Sequence, residues 1–598
     1  MRILGLNSAF HENSAALIVD GQVICAVEEE RFNRIKHGSS ARVDNPHELP
    51  AQSIRYCLEQ GKLQASDLDA VCFGFDPELR LREWRPDPYA LADDWGHPEG
   101  EQTFYNNLLK IPGTLSELLG TDLSSRFRWV PHHMAHAASA FYPSNFDKAA
   151  ILVVDGIGED ATALLAFGDG ARIESLQHIP MPNSLGFLWE KFSKFLGFSE
   201  YDASQVMGLA GYGNPDIYRE HFSRFLQYNA DGTFHVNNDV LQFRQPNCDS
   251  LVKLFGALDG HTAPCRGQKG RDIAATLQAV TNEIILALAA HLYAQRPCDS
   301  LCLAGGVALN CQTNWIVKEQ GPFQNVYIPS APHDAGTAIG AALCFHYNQT
   351  ERAAAGLAPA SRATSVMPHP YTGPSFMDEE IEEILGAQPL PVRKSSDVAK
   401  EVAELISAGN IVAWFQGGME LGPRALGNRS LLGDPRDRNV REVMNRKVKH
   451  RELFRPFAPS VLEEVADEWF EIGKPSESAR YMLFACPVPE DKRERIPAVI
   501  HVDDTARVQT VSKDLNPKFH ELISRFYEIT GVPMLLNTSF NDSEPIVCTP
   551  QDALNTFNKT RIDVLVLGNY MVRRNPAEHQ SADVAESSEQ PEEMLTAI

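Results

Sequence analysis

Residues 151–178 read ILVVDGIGEDATALLAFGDGARIESLQH, and their pattern decides the fold. The apolar run from Ala149 to Val154 is a buried strand, and it ends in the acidic, glycine-bearing loop Asp155-Gly156-Ile157-Gly158-Glu159. A second strand, an Asp169-Gly170 turn and a third strand follow, which is a hairpin pattern. The same layout opens the chain. Residues 3–31, ILGLNSAFHENSAALIVDGQVICAVEEER, give strand, polar loop, strand, Asp20-Gly21 turn and strand. Ile3 to Asp20 is 17 residues and Ile151 to Asp169 is 18. This near-repeat predicts two similar half-domains, each opening with a meander whose first turn points into a shared cleft.

Just upstream, in PHHMAHAASAFYPSNFDKAA (131–150), His132 and His136 stand four residues apart and are followed by an alanine-rich run. Alanine favours helix, and a spacing of four puts both imidazoles on one helix face. Asp155 at the end of the next strand adds a carboxylate on a rigid element. Two imidazoles and a carboxylate suit iron, manganese or zinc and leave coordination positions open. The alternative is that His132, His133 and His136 simply cap or line a helix. Further on, a long amphipathic helix at 270–295 feeds the strand Leu301 to Ala304 and then Gly305-Gly306-Val307-Ala308-Leu309-Asn310. Such a strand–glycine–helix transition suits a nucleotide's phosphate or ribose, and the glycines after Asp155, Gly156 among them, bring backbone N–H groups close to a ligand. Val326 to Pro329 is another strand, and Asp334 at its strand-to-helix turn is a candidate fourth metal ligand. Between the half-domains, residues 78–125 read as an irregular insertion with Trp84, Trp95, Phe104 and Tyr105, able to shape a pocket or merely to pack on the surface.

At 598 residues the chain exceeds what one core supports, so two large domains are expected. Hydrophobic residues at 43% and charged residues at 22% are ordinary for a globular protein. No apolar run approaches the roughly 18 residues of a membrane span, and Met1-Arg2-Ile3-Leu4 already reads as strand rather than as a signal peptide. A formal charge of −24 argues against a nucleic-acid partner held through many phosphates. Eleven cysteines without a CxxC pair read as reduced thiols of a cytoplasmic protein. The first domain is expected over 1–355, a linker rich in Ala, Pro, Ser and Gly over 356–375, and a second domain over 376–574. The tail at 575–598 carries six acidic side chains and no Lys or Arg, and is expected to be disordered. Within the second domain Arg424, Arg429, Lys449, Arg451, Arg455 and Arg507 stand out in so acidic a chain. They fit either a pocket for a small phosphorylated substrate, with Ser539 adding a hydroxyl, or a set of structural ion pairs.

FHENSAAL, EEERFNRIKHG, HHMAHAASAFY, VVDGIGE, VMGLAGYG, AGGVALN, GPRALGNRSLLGDPRD, RELFRPFAPS, LNTSFN and EPIVCTPQDAL occur in this order. Together they resemble the O-carbamoyltransferases of antibiotic and nodulation-factor biosynthesis, from Met1 to about Arg573. The resemblance implies an α/β protein with a duplicated actin-like (ASKHA) N-terminal domain, similar to threonylcarbamoyl-transfer proteins, followed by a YrdC-like α/β C-terminal domain. It implies that carbamoyl phosphate and ATP become carbamoyl adenylate in the C-terminal domain, with release of pyrophosphate and phosphate. The carbamoyl group then passes, at the N-terminal metal site, to a hydroxyl of a small natural product, with AMP as the leaving group. The metal ligands fall on His132, His136, Asp155 and Asp334, the metal is expected to be Fe2+, and Mg2+ is an option with ATP. His11 matches the base for the acceptor hydroxyl and Lys36 the nucleotide-contacting lysine. The carbamoyl phosphate contacts match Arg424, Lys449, Arg455, Arg507 and Ser539.

Two positions depart from the family pattern. Ser204-Gln205 stands where Gly-Lys is common, and Gly418 where Arg is common. Other readings are a tRNA threonylcarbamoyl-transfer protein, which the charge and domain order disfavour, and the hydrogenase-maturation carbamoyl enzyme, whose CxxC zinc motifs are missing. A non-catalytic ATP-binding regulatory protein is a further alternative, to be discriminated by bound metal and ATP turnover. The acceptor, the native metal and the oligomeric state, a homodimer included, stay open.

Overall fold

The meander expected at the N-terminus is formed by Arg2–Asn7, Ser14–Val19 and Gln22–Glu28, paired antiparallel. Ala70–Phe73 and then Phe127–Trp129 add in parallel on the other side of the first strand. The second half repeats this arrangement strand for strand. Lys148–Val154, Ala161–Asp169 and Arg172–Pro180 are antiparallel, and Ser300–Ala304 and Asn325–Tyr327 add in parallel. Both sheets therefore have the same order, meander on one side and crossover strands on the other. The structure is a computed structural model in which residues 1–258, 267–354, 360, 362, 366–388, 390–474 and 476–574 are described. The expected acidic tail at 575–598 and part of the expected linker lie outside these residues.

The strands at the centre of the two sheets are continuous apolar runs because helices cover them on both faces. Two of these helices occupy equivalent places in the repeat. His132–Phe141 follows the fifth strand of the first half, and Thr337–Tyr347 follows the fifth strand of the second. They pack on one another so closely that a Cβ added at Gly340 would sit 1.7 Å from the Ala135 carbonyl oxygen. A Cβ at Gly5 in the first strand would likewise lie 1.8 Å from the Ala338 oxygen. Only glycine permits these approaches. The helix Gln268–Gln295 is long and apolar enough to cross a membrane, yet 67% of its most apolar 18-residue window is buried inside the fold.

The 78–125 segment, expected to be irregular, is largely helical: Pro77–Glu83, Pro98–Leu108 and Ile111–Leu119. The start signals are local. Pro77 follows Asp76, whose carboxylate accepts from the Glu78 and Leu79 N–H groups, and Pro98 also begins its helix. Phe104 from this segment is fully buried.

The C-terminal domain is built on a nine-stranded mixed sheet, with Val412–Phe415, Arg429–Gly433 and Met534–Ser539 near its centre. Buried polar contacts fix it to the N-terminal domain. Arg31, paired with Glu28, donates to the Gly422 carbonyl at 2.8 Å. Lys318, fully buried, donates to the carbonyls of Ile472 and Lys474. Residues 366–375 run along the first sheet, where Thr372 Oγ1 donates to the Ala26 carbonyl. The two catalytic candidates described next lie along this junction.

Candidate functional site

The paired helices bring four side chains to one point. His132 and His136 project from the start of one, Asp334 sits in the short 3-10 turn that leads into the other, and Asp155 ends the strand Lys148–Val154. His132 Nε2 lies 3.2 Å from His136 Nε2, 3.2 Å from Asp155 Oδ2 and 3.5 Å from Asp334 Oδ1. His136 Nε2 lies 3.4 Å from Asp155 Oδ2 and 3.3 Å from Asp334 Oδ1. A tetrahedral cation with bonds of about 2.1 Å has ligand–ligand edges of about 3.4 Å, so the spacing fits a divalent ion such as iron or zinc. The surroundings orient the donors. His132 Nδ1 faces the Gly74 carbonyl at 3.1 Å, which favours the tautomer whose Nε2 lone pair points inward. The Gly306 N–H donates to Asp155 Oδ1 at 2.8 Å, leaving Oδ2 for the centre. Glu159 Oε1 accepts from the His132 N–H at 2.9 Å and fixes the helix start.

Burial disfavours a charged His132, but the carboxylates of Asp334 and Asp155 outweigh it and hold this imidazole well above the usual histidine range. Burial would raise Asp155, and His132 and His136 overcome that and hold it well below the usual range. The same balance lowers Asp334. Neighbouring His133 has no carboxylate partner, and burial pushes it down to about 3, so it is neutral. Against burial, His136 is raised by the same two carboxylates, so protons on the imidazoles balance the aspartates, and a divalent cation would take the place of those protons.

A cavity of about 420 Å³ opens over this centre. His11, Asp155, Gly156, Gly306, Asn310 and Asp334 line one side. His11 Nδ1 is 4.0 Å from Asp334 Oδ2 and has no hydrogen-bond partner. Its loop is held by Asn7, whose Nδ2 donates to the His11 and Glu12 carbonyls at 2.9 and 3.1 Å. The other side carries Trp95, Phe187, Glu190, Tyr201 and Arg244. A second group, Glu12, Glu28 and His333, also converges. One oxygen of each carboxylate is committed, Glu28 Oε2 to Arg31 and Glu12 Oε1 to His37 at 2.6 Å, and the other oxygens face His333 Nε2 at 3.8 and 3.9 Å.

A separate cavity of about 230 Å³ lies at the junction of the two domains, where Arg424, Arg451, Arg455, Arg507 and Ser539 of the C-terminal domain face Gln205, Met207 and Gln312 of the N-terminal one. The Nε atoms of Arg424 and Arg507 are buried without a hydrogen-bond partner. Burial, with Arg507 and Arg455 nearby, pushes Arg424 down to about 9, and Arg507 is lowered mainly by burial too. Guanidinium groups stay protonated at neutral pH even so. Arg455 faces Glu452 at 3.8 Å and Arg451 donates to Asn445 at 2.8 Å, whereas the Nε groups of Arg424 and Arg507 are left without a partner, an arrangement that suits an anion. The two cavities share a wall made by Ser204, Met207, Pro423 and Arg424.

The other expected site residues fall as follows. Lys449 stands behind Ser539 rather than in the lining, and its ammonium donates to the Asn541 side chain at 2.6 Å and to the Ser539 and Asn541 carbonyls. Burial, with Arg451 and Arg455 nearby, lowers it well below the usual lysine range. Arg429 is structural: it lies 3.6 Å over the Phe415 ring and donates to the Gln416 and Pro374 carbonyls. Lys36 is exposed outside the lining, whereas the next residue, His37, lines the larger cavity and stacks on Tyr201 at 4.4 Å. Gly305 adopts φ 87°, and a Cβ there would strike the Val154 oxygen at 2.2 Å. Asn310 caps the helix Cys311–Gln320 through the Thr313 N–H. At Gly418 a Cβ would lie 2.8 Å from the Tyr371 oxygen, and the residue is not in the arginine lining. Gln205 does line that cavity, paired to Asp202. Glu190, Tyr201 and Arg244 carried no sequence signal: each is an isolated polar side chain in helix or loop, and only the fold turns it toward the metal centre.

The carbamoyltransferase N-terminus family model matches residues 2–343, and the carbamoyltransferase C-terminus model matches residues 403–574. Nodulation protein NolNO of Sinorhizobium fredii is 38% identical over 96% of this chain and 80% of its own length. An uncharacterized protein of Synechocystis is 37% identical over 97% of this chain and 98% of its own. Among solved structures, full-length HypF in its phosphate- and nucleotide-bound form is similar at 15% identity, covering 58% of this chain and 55% of that one, with a TM-score of 0.31.

Proposed function

The chain belongs to the carbamoyltransferase family, and from that premise we propose that it makes carbamoyl adenylate from carbamoyl phosphate and ATP and transfers the carbamoyl group to a hydroxyl of a small molecule. The observation that carries this reading is the shared wall: the arginine-lined cavity and the cavity over the metal quartet meet at Ser204, Met207, Pro423 and Arg424. On this reading the intermediate passes across that wall from one cavity to the other, a short path that limits its hydrolysis.

In the C-terminal cavity, Arg424, Arg455 and Arg507 hold carbamoyl phosphate and the nucleotide's phosphates, and Ser539, braced by Lys449, orients them. Water releases phosphate from carbamoyl phosphate; the resulting carbamate attacks the α-phosphorus of ATP and pyrophosphate leaves. The carbamoyl carbon now carries AMP, a far better leaving group than hydroxide. In the N-terminal cavity, His132, His136, Asp155 and Asp334 would hold a divalent cation, Fe2+ or another ion with the same coordination, which supplies Lewis-acid polarisation of a carbamoyl or phosphate oxygen. His11 takes the proton of the acceptor hydroxyl as its oxygen bonds to the carbamoyl carbon, and the carbon–oxygen bond to AMP breaks. The buried cleft around Trp95 and Phe187 keeps competing water away from that carbon.

The test is carbamoyl-phosphate-dependent AMP formation from ATP, followed with and without a panel of hydroxylated compounds and repeated after chelation. The expected result is AMP together with a carbamate ester on one class of acceptor, with transfer lost on chelation. ATP turnover that ignores carbamoyl phosphate would overturn the reading.

A further inference from the structure

Beside the metal quartet, Glu12, Glu28 and His333 bring three ligand atoms within 4.8 Å of one another. All three residues are buried, with 8%, 1% and 6% of their surface exposed. They arrive from three places: the loop between Arg2–Asn7 and Ser14–Val19, the end of the strand Gln22–Glu28, and the position just before the turn Asp334–Gly336. Glu12 Oε1 is taken by His37 Nδ1 at 2.6 Å, and Glu28 Oε2 accepts from Arg31 at 2.9 Å. The other oxygens, Glu12 Oε2 and Glu28 Oε1, face His333 Nε2 from 3.9 and 3.8 Å. Among the described residues no hydrogen bond reaches any of these three atoms. A proton shared between Nε2 and one carboxylate would draw the pair in to about 2.8 Å. Here all three atoms stand off from a common centre instead. Two buried carboxylate oxygens turned toward one another repel unless a cation lies between them. Arg31 is not that cation, because it is shared between Glu28 and Glu30.

We propose that Glu12, Glu28 and His333 form a second metal site, sharing no residue with the quartet, for a divalent transition metal such as Mn2+, Fe2+ or Zn2+. With bonds of about 2.2 Å, the edges of 3.8 and 3.9 Å correspond to angles of about 120° at the ion. Octahedral Mg2+, with bonds of about 2.1 Å, needs edges of about 3.0 Å. Both Mg2+ and Ca2+ also favour oxygen donors throughout, whereas imidazole with carboxylates suits a transition metal. The outer shell is in place: His37 and Arg31 fix the two carboxylates, and Asn7 Nδ2 holds the Glu12 carbonyl at 3.1 Å. His333 Nδ1 is buried without a partner, so an ion on Nε2 gives the ring a polar contact that it otherwise lacks. Glu12 and His333 also line the larger cavity. The ion's remaining positions are therefore open to water or to an oxygen of a molecule bound there.

The test is Mn2+ binding to the chelated, full-length protein without ATP or carbamoyl phosphate, in excess Mg2+ to occupy surface carboxylates. Free Mn2+ is counted by electron paramagnetic resonance. The expected result is two equivalents bound per chain. His333→Gln and Glu12→Gln should each lose one equivalent and keep the other, and His136→Ala should lose the equivalent that those variants keep. Glutamine leaves a polar group for the neighbours, and melting curves check that each variant is folded. A wild type with a single equivalent, abolished by His136→Ala, would overturn the proposal, and that count holds even where a variant misfolds. Two equivalents that both survive His333→Gln and Glu12→Gln would overturn it as surface binding. Loss of both equivalents together in those two variants would overturn it as one joined centre. An equivalent that survives His136→Ala and is lost in His333→Gln, with no other bound, would sink the quartet and spare this site.

Discussion

Asp155 and Gly306 are joined by a hydrogen bond of 2.8 Å that spans 151 residues of chain. It ties the end of one sheet strand to the turn after its neighbour and commits one carboxylate oxygen to the backbone, so the other is delivered to the histidine pair. A Cβ on Gly306 would lie 3.1 Å from that oxygen. Gly306→Ala should therefore turn the carboxylate and reduce metal affinity by about 10–100-fold, as loss of a ligand's orienting partner does. Metal titration of the chelated protein checks this, and unchanged affinity would show that the bond does not orient the ligand.

His11 is expected to matter only once the intermediate exists. His11→Ala should lower carbamate-ester formation by about 10²–10⁴-fold, the usual range for a general base, while AMP still forms from ATP and carbamoyl phosphate. An unchanged transfer rate would remove His11 from the base role.

The arginine cavity stores unfavourable energy. Arg507→Gln removes one buried cation from beside Arg424 and Arg455 and should raise the melting temperature of the ligand-free protein, since an unsatisfied buried polar group costs about 1–3 kcal/mol. The same variant should lose the stabilisation that pyrophosphate gives the wild type. A lower melting temperature with pyrophosphate protection intact would show that Arg507 is structural.

Glu190 supplies a pH dependence with a definite sign. Burial raises its folded pKa from 4.5 to about 7, with His11, Lys194 and Arg244 opposing the shift and Glu200 reinforcing it. Between those values the folded state binds a proton that the unfolded state has released, so this group's contribution to stability is greatest at acid pH and falls as pH rises toward and past about 7. Denaturation curves of wild type and Glu190→Gln should therefore diverge over pH 5 to 8, with the variant relatively more stable at the upper end. Parallel curves would mean that the carboxyl is not raised.

Gly340→Ala tests the helix pair that assembles the metal centre. With only 1.7 Å between the new Cβ and the Ala135 oxygen, the helices must separate, at a cost of about 1–3 kcal/mol or more for an overpacked interior. The folded fraction that remains should bind metal more weakly, because His132 and His136 ride on one helix and Asp334 on the turn into the other. Metal titration alongside thermal melting distinguishes this from simple instability.

Much of this molecule is written locally. The strand–turn–strand spacing at 3–20 and 151–169 reports the duplication because alternation and Asp-Gly turns are short-range features, and the two sheets share one strand order. The spacing of His132 and His136 puts both imidazoles on one helix face because four residues make about one helical turn. The 78–125 segment was harder to read: its helices begin at prolines and are held by contacts such as that of buried Phe104, so periodicity alone does not mark them.

Tertiary structure decided the rest. His132 is 202 residues from Asp334 in the chain, and what brings them within 3.5 Å is the close packing of two equivalent helices, which depends on Gly340. Lys36 and His37 are neighbours in sequence, yet one is exposed and the other lines the cavity, because the backbone at His37 turns through a positive φ of 66°. Sequence determines which chemistry is available, through short-range pattern and residue type. Which groups meet, and which charges are left unsatisfied, depends on contacts between distant segments, and no local pattern carries that.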